Sequence, residues 1–364
     1  MSSDTSLQDV ATPVLQVEDL RTYFYTEEGE IRAVDGVHFS LYPGRTLAIV
    51  GESGCGKSVT SYSLLRLIRK PGHIVGGRVL LRHPGNAEGA GALDLLSLPD
   101  EATELHTIRG GRISMIFQDA LAALSPVHTI GNQLTECLLT HSSLKRREAE
   151  AKALALLERV GLTHPELRLR QYPHELSGGM RQRVMIAMAL IADPEVVIAD
   201  EPTTALDVTI QRQVLELIKS LQKERNTAVL LITHDLGVVA HSADDVLVMY
   251  LGKVVEQGSV FELLKSPKHP YTLGLLQSLP SRARGQERLP SIAGSVPALS
   301  QIPKGCPFHP RCPHHQPGLC DVGGSPPLVP VRTRQAAPAP RSAQSPPHQA
   351  ACLRLDVIHQ DKGP

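Results

Sequence analysis

The stretch Gly51-Glu52-Ser53-Gly54-Cys55-Gly56-Lys57-Ser58 decides the fold. It follows an unbroken apolar run at 47–50 and precedes an apolar helical run at 59–68, the strand–loop–helix context that a P-loop requires. Its glycines let the backbone curl so that successive N–H groups point inward at phosphate oxygens, and the following helix adds its positive N-terminal dipole. Lys57 is expected to reach the β- and γ-phosphates and Ser58 to ligate Mg²⁺. The ATP-contacting set is therefore Gly51, Ser53, Gly54, Cys55, Gly56, Lys57, Ser58 and Val59. Proximity of Cys55 to Lys57 and a helix N-terminus acts to lower its thiol pKa; a spectator thiol is the competing reading.

Downstream, Val196-Val197-Ile198-Ala199-Asp200-Glu201 is an apolar strand emerging into two carboxylates. That arrangement suits one carboxylate holding Mg²⁺, Asp200, and the next polarising an attacking water, Glu201. From residue 14 to about 280, short apolar strands alternate with amphipathic helices, with core strands expected at Thr46–Val50, 196–199 and 229–233. This is the pattern of an α/β domain with a largely parallel sheet covered on both faces. Between 119 and 182 the character turns helical: residues 143–160 set Leu154, Leu157 and Val160 against Lys145, Arg146 and Glu150, and Gly161 can end the helix. Residues 83–92, with Gly85 and Gly89, read as a surface loop of unassigned role, and 333–349 as a flexible Pro/Ala/Ser stretch.

The chain has 364 residues, 41% of them hydrophobic, enough for one large domain with an appendage. Its 37 basic and 37 acidic side chains cancel, so no global field exists to hold a nucleic acid or an anionic membrane by charge alone. The polar start lacks a signal-peptide pattern and no stretch approaches the ~20 apolar residues of a membrane span, which reads as a cytosolic chain. Six cysteines in that compartment point to metal or redox chemistry before disulfides. Cys55 and Cys137 stand alone, whereas Cys306, Cys312, Cys320 and Cys352 lie in the last sixth.

At Leu176-Ser177-Gly178-Gly179-Met180-Arg181-Gln182-Arg183 the chain resembles the signature of the ABC ATPases, placed before the second carboxylate strand as in that family. The resemblance implies that Ser177, Gly178, Gly179 and Gln182 address the γ-phosphate held by a partner's P-loop, so that hydrolysis needs two such domains head to tail. Phe24 resembles the aromatic that stacks on adenine, although Tyr23 and Tyr25 flank it. Gln118 resembles the Q-loop glutamine that contacts Mg²⁺ and water, Asp207 the D-loop aspartate, and His234 the switch histidine that joins Glu201 and Gln118 in catalysis. The implied fold is a P-loop NTPase ABC domain, α/β, with a RecA-like parallel core, an antiparallel β subdomain and an α-helical subdomain, plus a small Cys-rich C-terminal extension. The expected boundaries are a flexible tail at 1–12, the ATPase domain at 13–285 with its helical subdomain at about 119–182, and the extension at 286–364.

Longer strings resemble the importers of di- and oligopeptides and of nickel: Ala48 to Gly54, Phe117-Gln118-Asp119 with Leu124-Ser125-Pro126, Tyr172 to Leu176, and Ser266-Pro267-Lys268-His269-Pro270-Tyr271-Thr272. Ala120 and Ser125 depart from the usual proline and asparagine, near the expected transmembrane contact. The family's tails are similar to ones that hold a [4Fe–4S] cluster, which assigns Cys306, Cys312, Cys320 and Cys352 to that group; zinc competes because His309, His314, His315 and His348 are nearby. The implied assembly has two transmembrane permease subunits, a second ABC ATPase, identical or paralogous, and an extracytoplasmic solute-binding protein. It places the chain peripherally on the cytoplasmic face of the inner membrane. Cofactors are then ATP and Mg²⁺, with no nucleic-acid partner. Rival readings are an ATPase for nickel or another small solute, a soluble ABC ATPase acting on nucleic acid or ribosomes, and a metal-sensing regulatory ATPase. Cargo identity leaves no trace in these residues.

Overall fold

The computed structural model describes residues 12–83, 91–203, 206–279, 291–331 and 344–355. Two sheets form the framework. The smaller is antiparallel, from Leu15–Thr26 (β1), Gly29–Leu41 (β2), Gly72–Arg82 (β4) and Ala92–Asp94 (β5), in the order β2-β1-β4-β5. The larger has at its centre the parallel strands Asp245–Tyr250 (β9), Thr46–Val50 (β3), Ala228–Thr233 (β8), Val196–Asp200 (β7) and Ile113–Ile116 (β6), adjacent in that order. The three strands expected from their apolar runs are thus β3, β7 and β8.

All residues of these five strands are buried, and the reason is the pleat. Successive side chains alternate between faces. Leu47, Ile49, Ile198, Leu230, Ile232 and Met249 turn one way, into a core shared with the antiparallel sheet. Ala48, Val50, Val197, Ala199, Leu231 and Val248 turn the other way, onto helices. A strand covered on both sides has no polar face, so its sequence is an unbroken apolar run. Each such Val, Ile or Leu contributes about 1.5–3 kcal/mol by burial.

The helical insert has its own core. Helices Ile130–His141, Arg146–Arg159 and Pro165–Arg170 pack with Gly178–Leu190 around Ile130, Leu134, Leu138, Leu156, Leu157 and Val184, while the short helix Ala120–Ala123 sets Ala120 and Ala123 against the core of the large sheet. In Arg146–Arg159 the buried face is Ala149, Ala153, Leu156 and Leu157, followed by Val160 at the C-cap, and not the expected Leu154, which is only partly covered. Two alanines let the neighbouring helix approach closely, and large side chains alone did not reveal the face. Gly161, at φ 75°, follows the helix. The helix after the P-loop ends earlier than its apolar run suggested, at Lys57–Leu64, with Arg66 in left-handed geometry.

The far edge of the large sheet is built from the C-terminal third. Lys253–Ser259 (β10) runs antiparallel to β9, and the short strands Val329–Pro330 (β11) and Gln349–Ala350 (β12) complete the order β11-β12-β10-β9. The fully buried Glu256 of β10 is the tie: its carboxylate accepts from the Lys268 and His269 backbone N–H groups at 2.7 and 2.8 Å and lies 2.8 Å from His348 Nε2. Of the stretch 333–349 expected to be flexible, only 344–349 is described, and it is held in place. Arg45 donates to Ser345 Oγ at 2.8 Å, His348 is buried, and Gln349 joins the sheet. In the loop expected at 83–92, residues 84–90, with Gly85 and Gly89, lie outside the described residues.

Candidate functional site

Four loops leave the carboxyl ends of adjacent parallel strands and meet at one place, where ligands bind in open α/β sheets. The loop after β3 carries Gly51 to Ser58. Its glycines are required by close approach. A Cβ on Gly51 would lie 2.3 Å from the Met249 carbonyl oxygen of β9, and one on Gly56, at φ 102°, would lie 2.1 Å from the Ala33 carbonyl oxygen of β2. Lys57 is 5% exposed, and its ammonium donates to the carbonyls of Gly51 and Glu52 at 2.9 and 3.0 Å, so it lies beneath the curve of the loop.

Ser58 Oγ donates to Asp200 Oδ1 at 3.1 Å, joining the first helical turn to the end of β7. Burial pushes the Asp200 carboxyl up to about 6, and the Glu201 charge acts in the same direction, while the Ser58 hydrogen bond and Lys57 oppose it. Glu201 follows at φ 46°, a left-handed conformation uncommon outside glycine, fixed by its N–H donating to Ile232 O at 2.9 Å. Two side chains from neighbouring loops meet its carboxylate. Gln118 Nε2, beyond β6, donates to Oε2 at 3.2 Å, and His234 Nδ1, beyond β8, stands 3.2 Å from Oε1. Each neighbour precedes an aspartate that caps a helix: Asp119 accepts from Leu121 and Ala122, and Asp235 from Gly237 and Val238. These caps fix the turns that aim Gln118 and His234.

The loop opens onto a cleft of about 690 Å³ lined by Phe24, Ile31, Ala33, Gly51–Gly54, Gly56–Val59, Gln118, Glu201, His234, Leu275 and Leu299. Strand alternation settles which aromatic faces it. Phe24 lines the cleft, whereas Tyr23 is buried elsewhere with its hydroxyl donating to Asp35 at 2.8 Å, and half-exposed Tyr25 packs near His73. Within the loop, Cys55 departs from expectation in its side chain. Its side chain is fully buried in the apolar core and absent from the cleft wall, and burial pushes its thiol pKa up, outweighing Lys57, rather than down. Leu275 and Leu299 were not expected in the cleft; the Ser266–Thr272 string leads to Leu275, but nothing in it pointed to the nucleotide site, and no sequence signal marked Leu299.

The signature residues do not line this cleft. Ser177 caps helix Gly178–Leu190 by accepting from Met180 N, and Ser177 and Gly178 are exposed, with open space where a Gly178 Cβ would stand. Gln182 differs: it is 5% exposed and its side-chain amide donates to the Pro202 carbonyl, tying the signature helix to the segment after Glu201. Asp207, exposed, caps helix Val208–Arg225 through Thr209 and Ile210. The chain thus presents a glycine-rich loop at the cleft and, outside the cleft wall, a helix N-terminus whose Ser177 and Gly178 are exposed.

Residues 34–204 match the family model described as ABC transporter, and 255–320 match the model described as oligopeptide/dipeptide transporter, C-terminal region. A probable peptide ABC transporter ATP-binding protein of Sinorhizobium fredii is 49% identical over 347 residues, covering 95% of this chain and 96% of its own. The dipeptide transport ATP-binding protein DppD of Bacillus subtilis is 50% identical over 309 residues, covering 85% and 89%. This chain belongs to the family of ABC transporter ATP-binding proteins. The ATP-binding cassette MJ0796, solved as a dimer in a post-hydrolysis state bound to ADP and Pi, is similar in structure at TM-score 0.58 and 26% identity, covering 68% of this chain and 98% of that one.

As an ABC ATPase the chain uses ATP with Mg²⁺, and the residue types expected to hold that ion suit it: the Ser58 hydroxyl and Gln118 amide line the cleft, the buried Asp200 carboxylate, itself outside the cleft wall, lies 3.1 Å from Ser58, and all three offer hard oxygen ligands. The C-terminal cysteines are a different matter. Among the described residues no group of three or more His, Cys, Asp or Glu side chains stands at metal-holding spacing, so the expected [4Fe–4S] or zinc centre has no ligand geometry here. What the fold does is turn Cys306, Cys312, Cys320 and Cys352 toward one small cavity with His309 and His314. Burial, reinforced by the neighbouring sulfurs, pushes the thiols of Cys306 and Cys352 up to about 11 and 12. His348, weighed as a zinc ligand, is instead engaged with Glu256. Among the described residues no helix is long and apolar enough to cross a membrane.

Proposed function

We propose that this ABC ATPase energises a bacterial importer of di- or oligopeptides. It would sit peripherally on the cytoplasmic face of the inner membrane, with two transmembrane permeases, a second ATPase subunit and an extracytoplasmic solute-binding protein. The observation that carries the reading is the separation of phosphate loop and signature helix on one chain, together with the match at 255–320. A helix N-terminus that faces solvent has dipole and N–H groups to offer a phosphate. A second ATPase placed head to tail brings Ser177, Gly178 and Gly179 of one chain over the nucleotide on the other. Gln182, being interior, acts in this scheme by bracing the signature helix.

Within the cleft, Phe24 stacks on the base and Lys57 with the loop N–H groups grips the phosphates. Ser58, Asp200 and Gln118 would hold Mg²⁺, which supplies charge neutralisation at the phosphates when bound. Glu201 takes the proton of the attacking water, His234 orients that water and the γ-phosphate, and Asp207 lies at the junction of the two ATPases. The helical insert is the natural contact for the permeases. Its surface exposes Leu121, Val127, Leu167 and Tyr172, beside the departures Ala120 and Ser125. Binding of ATP across two subunits then shifts the insert only as far as the closed state binds ATP more tightly than the open one.

The test is reconstitution with candidate permeases and a binding protein in proteoliposomes. Peptide-loaded binding protein should stimulate ATP hydrolysis and nickel-loaded protein should not. A preparation that ignores peptide, or that copurifies with nucleic acid in place of permeases, would sink the assignment. For the four-cysteine cavity we propose occupation by a thiolate-bound [4Fe–4S] cluster, or zinc in its place, as a structural crosslink of the tail. Iron, sulfide and zinc analysis of anaerobically purified protein decides it. Absence of all three removes the proposal.

A further inference from the structure

We propose that Arg311, in the cysteine-bearing C-terminal region, is a positioning residue for the phosphate loop, holding Glu52 so that the loop and Lys57 keep the geometry that grips nucleotide. The guanidinium forms a fork on the Glu52 carboxylate: Nη1 donates to Oε2 at 2.7 Å and Nη2 to Oε1 at 3.0 Å. Such a bidentate pair fixes direction as well as distance. The Arg311 side chain is only 4% exposed, and Nε donates to the Ala293 carbonyl at 3.1 Å, so the fork is anchored from behind.

Glu52 is gripped by all its polar groups. Its N–H donates to the hydroxyl of the buried Tyr271 at 2.8 Å, and its carbonyl accepts from Lys57 Nζ at 3.0 Å. Arg311 therefore stands two residues in contact away from the lysine that meets the phosphates. On the other side, Arg311 belongs to the turn His309–Arg311, whose hydrogen bonds run from His309 N to Cys306 O and from Cys312 N to His309 O. Phe308 seats that turn against Tyr250 and Tyr271, with ring centroids 5.4 and 5.3 Å apart. Leu299, from the same region, lines the cleft itself. The C-terminal region is thus a wall of the nucleotide site. By linkage, the order of its turn and the binding of nucleotide support one another.

This inference rests on the ATP site described above, and MgADP binding by the wild-type chain checks that site separately. ADP is the probe so that subunit closure does not enter the measurement. Arg311→Met should weaken MgADP binding by between about tenfold and a hundredfold, the cost of a loop displaced by about an ångström. The KM for ATP should rise by more than kcat falls. Arg311→Lys, a point charge without the fork, should recover part of the loss. Glu52→Gln should weaken binding similarly, and the double variant should be no worse than the singles, because the two act as one unit. Glu52→Gln also carries the test should Arg311→Met fail to fold. In the wild type, MgADP should slow amide exchange at His309, Arg311 and Cys312. Variants that melt earlier yet bind MgADP within about twofold of wild type, a difference of ~0.4 kcal/mol, would reduce Arg311 to a structural staple and overturn the proposal. Amide exchange in the turn that is indifferent to MgADP would overturn it as well.

Discussion

Glu201→Gln separates binding from chemistry at this site. The substitution keeps the shape of a side chain that stands 3.2 Å from both Gln118 Nε2 and His234 Nδ1. It removes the carboxylate assigned to take the proton of the attacking water, and loss of a general base costs about 10²- to 10⁴-fold in rate. That is a barrier increase of about 3–5 kcal/mol at ~1.4 kcal/mol per decade. Nucleotide binding should not follow it down. The Glu201 charge is one of the influences raising the Asp200 carboxyl, so its removal eases ionisation of the metal-side carboxylate. The contact to His234, whose side chain is 60% exposed, should cost little when weakened; one hydrogen bond of this kind contributes ~1 kcal/mol. The assay is steady-state phosphate release alongside light scattering with and without MgATP. The expected result is turnover lowered by at least about a hundredfold, unchanged or tighter ATP binding, and ATP-dependent doubling of mass. Turnover within about tenfold of wild type, less than ~1.4 kcal/mol, would remove Glu201 from the role of base; failure to dimerise would remove the trans geometry.

Three further outcomes follow from the packing. Gly56→Ala drives a Cβ to 2.1 Å from the Ala33 carbonyl at a left-handed φ, and backbone cannot rotate away as a side chain can. It should cost about 2–5 kcal/mol and abolish nucleotide binding, read by denaturant midpoint and ADP titration. Phe308→Ala empties a 1%-exposed site among Tyr250, Tyr271 and His269 and should lower unfolding free energy by about 3–5 kcal/mol in urea titrations. Acid should also destabilise the chain through His269, whose burial lowers its pKa from the ordinary 6.5 to about 4. Its neutral Nδ1 accepts from Tyr271 N at 3.1 Å, and between those two pH values the unfolded chain binds the extra proton. Stability is therefore full above about pH 6.5 and falls by about 1.4 kcal/mol per unit down toward 4. His269→Asn, which can still cap Pro270–Gln277, should flatten that slope; an unchanged slope would assign it to other groups.

What the sequence determined by itself was the chemistry that is local along the chain. A phosphate loop needs glycines, a lysine and a hydroxyl at set spacing directly after a strand, and Gly51 to Ser58 has them; Asp200 and Glu201 at the end of an apolar run, and Ser177 at a helix start, are equally local. Because side chains alternate in a strand, the buried runs at β3, β7 and β8 were legible as well. The tertiary structure alone decided what depends on register and on distant contacts. Only the register of β1 chose Phe24 over its tyrosine neighbours, and only three-dimensional packing turned Cys55 and Gln182 inward. The fork between Arg311 and Glu52 joins residues 259 apart, and Leu299 reaches the cleft from the same distant region. No pattern in a window of sequence reports such pairs, because the free energy that holds them arises from burial shared between segments that meet only after folding.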